Sequence, residues 1–183
     1  MLEKDFVLKV PYYSQHRDVK DPTWRHRACG IACFKMALAY AGKETPPLDE
    51  MIHAHRAAAY QEGVGWKHMP LVDIAVTEYG LKDSYRKEYR EVPFAEAFLG
   101  LVSSLKNNCP PIVSIFQDES RKGSHLIVLT GFRVSQDGGF EGVRYHDPDS
   151  LIEEEKKTDL SMDIPAFEKR WRKLAIFIGA QKA

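Results

Sequence analysis

Apolar residues are distributed along the 183-residue chain in a pattern that predicts helices first and strands later. A short apolar run at 6–10 is typical of a strand. Apolar residues then fill most of 31–40, and Gly42 follows as a C-terminal stop, which predicts a largely buried helix. Three more helices are predicted, at 45–60, 70–79 and 93–106.

Local signals indicate where two of these later helices begin or end. Thr45 precedes two prolines and is expected to cap the second helix, with Asp49 and Glu50 favourably placed in its first turn. The sequence Gly-Val-Gly at 63–65 interrupts the helical pattern, and Gly80 closes the third helix.

After two prolines at 110–111 the pattern changes to short β-branched and aromatic runs. Strands are predicted at 112–116, 126–132, 140–145 and 174–178, with a short amphipathic helix at 165–173. The turn-forming cluster at 135–139 predicts a hairpin between the second and third of these strands. Helices followed by strands in this way favour an α+β fold with a mainly antiparallel sheet.

Length and composition limit the class of protein. At roughly 150 residues per domain, the length predicts one domain spanning 1–183. Lys and Arg together number 26, as do Asp and Glu, so the formal net charge is zero. Because nucleic-acid-binding domains usually carry a basic excess, this balance argues against a nucleic-acid partner. The hydrophobic and charged fractions, 44% and 28%, are typical of soluble globular proteins.

Apolar runs long enough for targeting or membrane insertion do not occur in the sequence. The charged N-terminal segment has no signal-peptide core, and no stretch approaches the roughly 20 apolar residues of a membrane span. The chain as given is therefore expected to be cytoplasmic, with no membrane segment. The sequence does not determine its oligomeric state.

The cysteines are the first candidates for chemistry, and they are Cys29, Cys33 and Cys109. An odd number leaves at least one thiol unpaired, and in the cytoplasm all three are expected to be reduced. Cys29 lies where the buried helix begins, so the positive end of the helix dipole favours its thiolate. The basic segment 25–27 could add to that effect, and Gly30 permits close approach of another chain or a substrate. The alternative is that all three are small buried apolar residues.

A histidine and an aspartate are predicted to meet across the hairpin. His125 lies 12 residues before the turn centre at Asp137, and Asp147 lies 10 residues after it, so the two are near-neighbours within the shift of one bulge. A carboxylate beside an imidazole can fix its tautomer and orientation. His146 points to the opposite face, which favours Asp147 as the partner. Alternatively, the sequence Asp-Pro-Asp at 147–149 only forms a turn.

Gln15 is a candidate donor to an oxyanion. A side-chain amide near a thiol can stabilise a developing negative charge together with the backbone N–H of Cys29. Spacing alone does not require this role, because an isolated glutamine in a loop is usually solvated.

Several short motifs, in this order along the chain, carry a family resemblance. They are 10–15 (VPYYSQ), Trp24, 29–36 (CGIACFKM), 79–81 (YGL), 111–115 (PIVSI), His125, 147–148 (DP) and 167–171 (FEKRW). In this pattern the chain resembles the papain-like cysteine peptidases that process bacteriocin leaders, and their stand-alone relatives. The resemblance extends over about 10–178.

The resemblance implies a papain-like fold, with a nucleophile at a helix N-terminus and an antiparallel sheet that carries the histidine and the aspartate. It implies Cys29 as the nucleophile and His125 as the base. It also implies that Asp147 orients His125 and that Gln15 lines the oxyanion hole. Those peptidases usually precede a membrane exporter, which this chain does not contain, so their double-glycine leader substrate is not implied.

The expected function is cysteine-dependent cleavage of a peptide or amide substrate through a thioacyl-enzyme, with no metal or cofactor. Three alternatives stay open at this point. The same site could transfer the acyl group to an amine or thiol, or the domain could be a catalytically silent peptide-binding module. Cys29, Cys33 and a histidine could instead hold zinc.

Overall fold

The computed structural model describes residues 5–118, 120–149 and 158–179, so the single domain predicted at 1–183 extends beyond it at both ends. The helices of this part of the chain are α1 (Cys29–Tyr40), α2 (Leu48–Ala59), α3 (His68–Thr77), α4 (Phe94–Lys106) and α5 (Ile164–Arg170). The strands are β1 (Asp5–Val7), β2 (Tyr60–Gln61), β3 (Gly65–Trp66), β4 (Tyr85–Glu88), β5 (Ile112–Ile115), β6 (His125–Val134), β7 (Phe140–His146), β8 (Leu160–Asp163) and β9 (Trp171–Phe177).

One antiparallel sheet dominates the fold. Its strands follow the order β4-β9-β5-β6-β7-β8, and β1 also pairs with β6. Strands β2 and β3 form a separate small hairpin between α2 and α3. The helices up to α4 precede most of the sheet, which confirms the predicted α+β class with an antiparallel sheet.

Two edge strands of this sheet were not predicted by the apolar pattern. Strand β4 has the sequence Tyr-Arg-Lys-Glu and is largely exposed, and β8 is only four residues long. The predicted helix at 165–173 is also too long, because Trp171 already pairs with Ile115 in the sheet. Pairing with neighbouring strands determines the secondary structure of these segments, and local sequence does not contain that information.

The predicted cap of α2 by Thr45 is wrong. The helix begins at Leu48, and Pro47 at its N-cap position has an extended backbone and makes no side-chain cap. The Thr45 hydroxyl instead accepts a hydrogen bond from Lys35 Nζ at 2.7 Å. Two prolines, at 46 and 47, therefore separate Thr45 from the first turn of the helix.

Helix α1 is the central helix and packs against β6. Residues 30–38 are all buried, which agrees with the nearly continuous apolar sequence of this segment. The Cys33 thiol lies 3.2 Å from the carbonyl oxygen of Leu126, so α1 contacts β6 near the start of the strand. This packing places the first residue of α1, Cys29, beside the first residue of β6, His125.

The described part of the chain, 5–179 without 119 and 150–157, contains no helix that is long and apolar enough to cross a membrane.

Candidate active site

Cys29 is the first residue of α1 and is partly exposed. The glycine that follows it is in tight contact with the small hairpin, because a Cβ at Gly30 would lie only 2.5 Å from Cβ of Trp66. The Trp66 indole N–H donates to the carbonyl oxygen of Arg27 at 2.7 Å. The group that packs closely against Gly30 is thus strand β3 of the same chain, and this strand forms one side of the site.

His125 and Asp147 meet at the open end of the β6–β7 hairpin. The ladder pairs Val128 with His146, so one more residue along β7 brings Asp147 level with Ile127. Ile127 and His125 share a face of β6, and such diagonal neighbours are within reach of long side chains. His125 Nε2 lies 2.7 Å from Asp147 Oδ1, as the turn-centre argument predicted.

The neighbouring histidine is engaged elsewhere. His146 is buried, its Nε2 lies 3.0 Å from the carbonyl oxygen of Val10, and its Nδ1 accepts the backbone N–H of Asp159 at 2.9 Å. Asp147 also accepts the backbone N–H of Asp149 on Oδ1 at 2.9 Å, which fixes its carboxylate. Between the two adjacent residues, the sequence therefore identified the one that contacts His125.

The electrostatics of Cys29 and His125 favour an ion pair. Burial alone would raise the pKa of the Cys29 thiol, but the hydrogen bond and charge of His125, with the backbone N–H groups of Leu126 and Gly30, lower it below its usual value. Burial alone would lower the pKa of His125, but its hydrogen bonds to Asp147 and Cys29 and their charges raise it to about 10. Both changes stabilise a thiolate beside an imidazolium.

The other two cysteines are chemically different. Burial raises the pKa of Cys33 well above its usual value, and the nearby charges of Cys29 and Asp147 add to that increase. Burial also raises the pKa of Cys109, whose thiol lies 3.6 Å from the carbonyl oxygen of Ile178. Of the three thiols, Cys29 is the one whose pKa falls, which gives it the largest thiolate fraction at neutral pH.

The basic residues before Cys29 do not act as the sequence suggested. Arg25 donates to the carbonyl oxygens of Val19 and Lys20, and Arg27 pairs with Glu62 at 2.8 Å. The lowered pKa of the thiol has its cause in His125 and in backbone N–H groups instead.

Gln15 is buried in the loop after β1, with only 5% of its surface exposed. Its backbone N–H donates to the carbonyl oxygen of Pro148 at 2.8 Å, which ties this loop to the residue after Asp147. Its amide nitrogen lies 3.4 Å from Nε2 of His16, and its amide oxygen has no hydrogen-bond partner among the described residues.

The sequence did not single out the second histidine–carboxylate contact beside Gln15. Nε2 of His16 lies within hydrogen-bond distance of Asp149 Oδ1, and His16 is buried. The sequence feature that belongs to this contact is Asp-Pro-Asp at 147–149, because its second aspartate, Asp149, makes the contact. No residue pattern links it to His16, because the two meet only through the folding of the loop.

Cys29 and His125 line a cavity of about 520 Å³. The small β2–β3 hairpin, the first turn of α3 and residues of β4, β5 and β9 form its other walls. Its size is within the usual range for pockets that bind small ligands or parts of a peptide.

The alternative zinc site is not assembled in this part of the chain. Among the residues that the structure describes, no three His, Cys, Asp or Glu side chains are grouped so that they could hold a metal ion. The Cys33 thiol faces the carbonyl oxygen of Leu126 instead.

Comparisons with known proteins agree with this fold. The sequence model of the Peptidase C39-like family matches residues 7–175. Among solved structures, the chain is similar to a double glycine motif protease from an AMS/PCAT transporter, crystallised with the leader peptide, at 20% identity and a TM-score of 0.58, with 93% of this chain and 91% of that chain covered. No curated protein matches the chain.

A weaker similarity is found to the peptidase domain of Streptococcus mutans ComA, at 15% identity and a TM-score of 0.39, with 82% of this chain and 90% of that chain covered. The family match extends over most of the sequence and supports a cysteine peptidase-type function, and the double glycine protease shares the fold. The chain therefore belongs to the Peptidase C39-like family.

Proposed function

We propose that this protein is a cysteine peptidase or amidase that cleaves its substrate through a thioacyl-enzyme on Cys29. His125 is the general base and acid, Asp147 orients it, and Gln15 lines the oxyanion hole. One observation carries the proposal: the histidine that lowers the pKa of the Cys29 thiol has its Nε2 atom 2.7 Å from a carboxylate oxygen. This is the arrangement that an activated nucleophile requires.

The proposed reaction has two steps. The Cys29 thiolate attacks the carbonyl carbon of the scissile amide, and the carbonyl oxygen takes the negative charge. The C–N bond then breaks as His125 gives its proton to the leaving amine, which leaves a thioester on Cys29. In the second step His125 takes a proton from water, the hydroxide adds to the thioester, and the acid product leaves as the thiolate returns.

Asp147 determines which ring nitrogen of His125 serves the thiol. Because Nε2 is held by Asp147 Oδ1 at 2.7 Å, Nδ1 is the nitrogen left for Cys29. The carboxylate also stabilises the imidazolium until its proton passes to the leaving amine.

The surroundings of Gln15 support its role as a donor. Nε2 of His16 already contacts a carboxylate, so it donates its proton there, and a second nitrogen 3.4 Å away is a poor partner for it. A 180° rotation of the Gln15 amide would replace this contact of two nitrogens by one between its oxygen and an N–H already given to Asp149, and would turn the amide NH₂ group to the side where the oxygen now has no partner. Both N–H groups of the amide would then be free to donate to an oxyanion.

Replacing Gln15 with alanine is expected to lower kcat about 10²–10³-fold, the size of one lost oxyanion donor. The measurement is the steady-state rate on a cleaved peptide, with circular dichroism to confirm folding. Gln61→Ala is the matched control, because Gln61 is exposed on β2, whereas Gln15 is buried. A Gln15→Ala variant with kcat within twofold of the wild type would remove Gln15 from the mechanism.

An unbiased peptide-library digest tests the proposed function. The wild type is expected to produce new termini that mass spectrometry detects, and Cys29→Ala to produce none. Products joined to an added amine or thiol, without hydrolysis, would identify an acyltransferase. Peptides that are retained intact by both proteins would identify a binding module and overturn the proposal.

A further inference from the structure

The cavity beside Cys29 is strongly cationic. Its lining includes four side chains that carry a positive charge at neutral pH, namely Arg27, Lys67, Arg86 and Arg172. No Asp or Glu is found among the described residues that line it. Since the chain as a whole has zero net charge, this concentration of one sign is a local feature.

Arg172 is held in place without a carboxylate. It lies on β9, donates from Nη1 to the Ser114 hydroxyl at 3.2 Å, and its guanidinium lies 5.5 Å from the centre of the Phe116 ring. Ser114 is 2% exposed, so this contact orders the guanidinium at the sheet face. Among the described residues, no carboxylate lies within ion-pair distance of Arg172.

Arg86 on β4 adds a second guanidinium to the same wall. It contacts Glu88 at 3.2 Å, but that carboxylate does not line the cavity. Burial, together with the charges of Arg86 and Arg172, lowers the pKa of His68 to about 4. Both guanidinium groups therefore act on the region of the cavity where His68 lies. His68 is thus neutral and adds no charge of its own.

The first turn of α3 faces this region as well. His68 begins the helix, which has no side-chain cap and no acidic residue in its first turn. The backbone N–H groups of this first turn, apart from Pro70, which has none, add positive partial charge to the cavity wall. Within the described residues, no carboxylate of the cavity lining compensates the two arginines and this helix end.

We propose that this wall of the cavity is a substrate subsite for a carboxylate, bound by Arg86 and Arg172. Guanidinium groups bind carboxylates with two parallel hydrogen bonds, and an anion would relieve the repulsion between the two cations. In a peptide or amide substrate the carboxylate comes either from an Asp or Glu side chain or from the chain terminus. This inference rests on the proposed function, because it names the substrate class of that same site.

Alkylation of Cys29 by iodoacetate and by iodoacetamide tests the subsite without a known substrate. Iodoacetate carries a carboxylate where iodoacetamide carries a neutral amide. The ratio of their rate constants therefore reports the charge around the thiol. In Arg86→Gln/Arg172→Gln we expect the iodoacetate-to-iodoacetamide ratio to fall about tenfold, since two cations of the cavity that Cys29 lines are removed. Lys106→Gln/Arg133→Gln removes two charges outside the cavity lining, and its ratio should stay within twofold of the wild type.

Peptide pairs provide a second measurement that needs no variant. A cleaved peptide is compared with forms that exchange Glu for Gln, and with forms whose terminal carboxylate is an amide. We expect at least a tenfold higher kcat/KM for one carboxylate form, and the pair that shows it identifies the source of the carboxylate.

An unchanged alkylation ratio in the double variant, or no preference in either peptide pair, would overturn the proposed subsite. A wild-type protein that cleaves no peptide and shows no selective alkylation of Cys29 would instead contradict the proposed function.

Discussion

Replacing Cys29 with alanine is expected to lower turnover about 10⁶-fold while leaving the protein folded. The loss is large because the proposed mechanism has no second nucleophile, and enzymes of this kind lose about that factor when the nucleophile is removed. The fold should survive because Cys29 is partly exposed at the first position of α1, where the change removes one sulfur atom. Single-turnover rates and a thermal melt measure the two effects.

Cys33→Ala is the matched control for this variant. Its thiol is fully buried and contacts the carbonyl oxygen of Leu126, so its loss should affect stability rather than catalysis. The assignment of Cys29 as the nucleophile would be wrong if Cys29→Ala kept more than about 1% of wild-type turnover and Cys33→Ala were less active.

Replacing His125 with alanine is expected to be about equally damaging, again near 10⁶-fold in kcat. Two effects combine in this variant, because it removes both the proton carrier and the group that lowers the pKa of Cys29. The pKa of the Cys29 thiol should therefore rise, and its reactivity at neutral pH should fall along with turnover. The pH dependence of Cys29 alkylation, measured beside kcat, separates this result from simple unfolding.

Asp147→Asn provides an intermediate point in the same series. An amide oxygen can still accept the Nε2–H of His125, but the negative charge that raises the pKa of that ring is lost. We expect a loss of about 10–100-fold, the difference between a charged and a neutral hydrogen bond. His53→Ala is the control, since His53 is exposed on α2 and outside the cavity lining. Full activity in both His125→Ala and Asp147→Asn would contradict the proposed pair.

The parts of the site that sequence could predict are those fixed by local periodicity. A nearly continuous apolar run identified α1 and placed Cys29 at its start. The distances from the turn centre brought His125 and Asp147 together, although the ladder makes them diagonal rather than directly opposed. Both arguments depend on backbone geometry that a few neighbouring residues determine.

The parts that sequence could not predict arise from contacts between distant segments. Arg86 lies on an edge strand without an apolar pattern, and Arg172 lies in a segment whose sequence favoured a helix. Only the pairing of β4 with β9 brings them to one cavity wall. Likewise, Thr45 has the residue type of a helix cap, but the structure uses it to accept a hydrogen bond from Lys35.

The rate of Cys29 alkylation by iodoacetamide as a function of pH tests the central claim most directly, with each cysteine followed by mass spectrometry. The lowered pKa of Cys29 and the pKa of about 10 for His125 predict that the ion pair forms below the usual thiol pKa and persists to about pH 10. Cys29 should therefore react readily near pH 6, where an ordinary thiol of pKa about 8.5 is almost wholly protonated. Cys33 and Cys109 should stay unmodified, and His125→Ala should abolish the reaction at pH 6. A wild-type Cys29 that reacts at pH 6 no faster than Cys33 and Cys109, or no faster than in His125→Ala, would contradict the account.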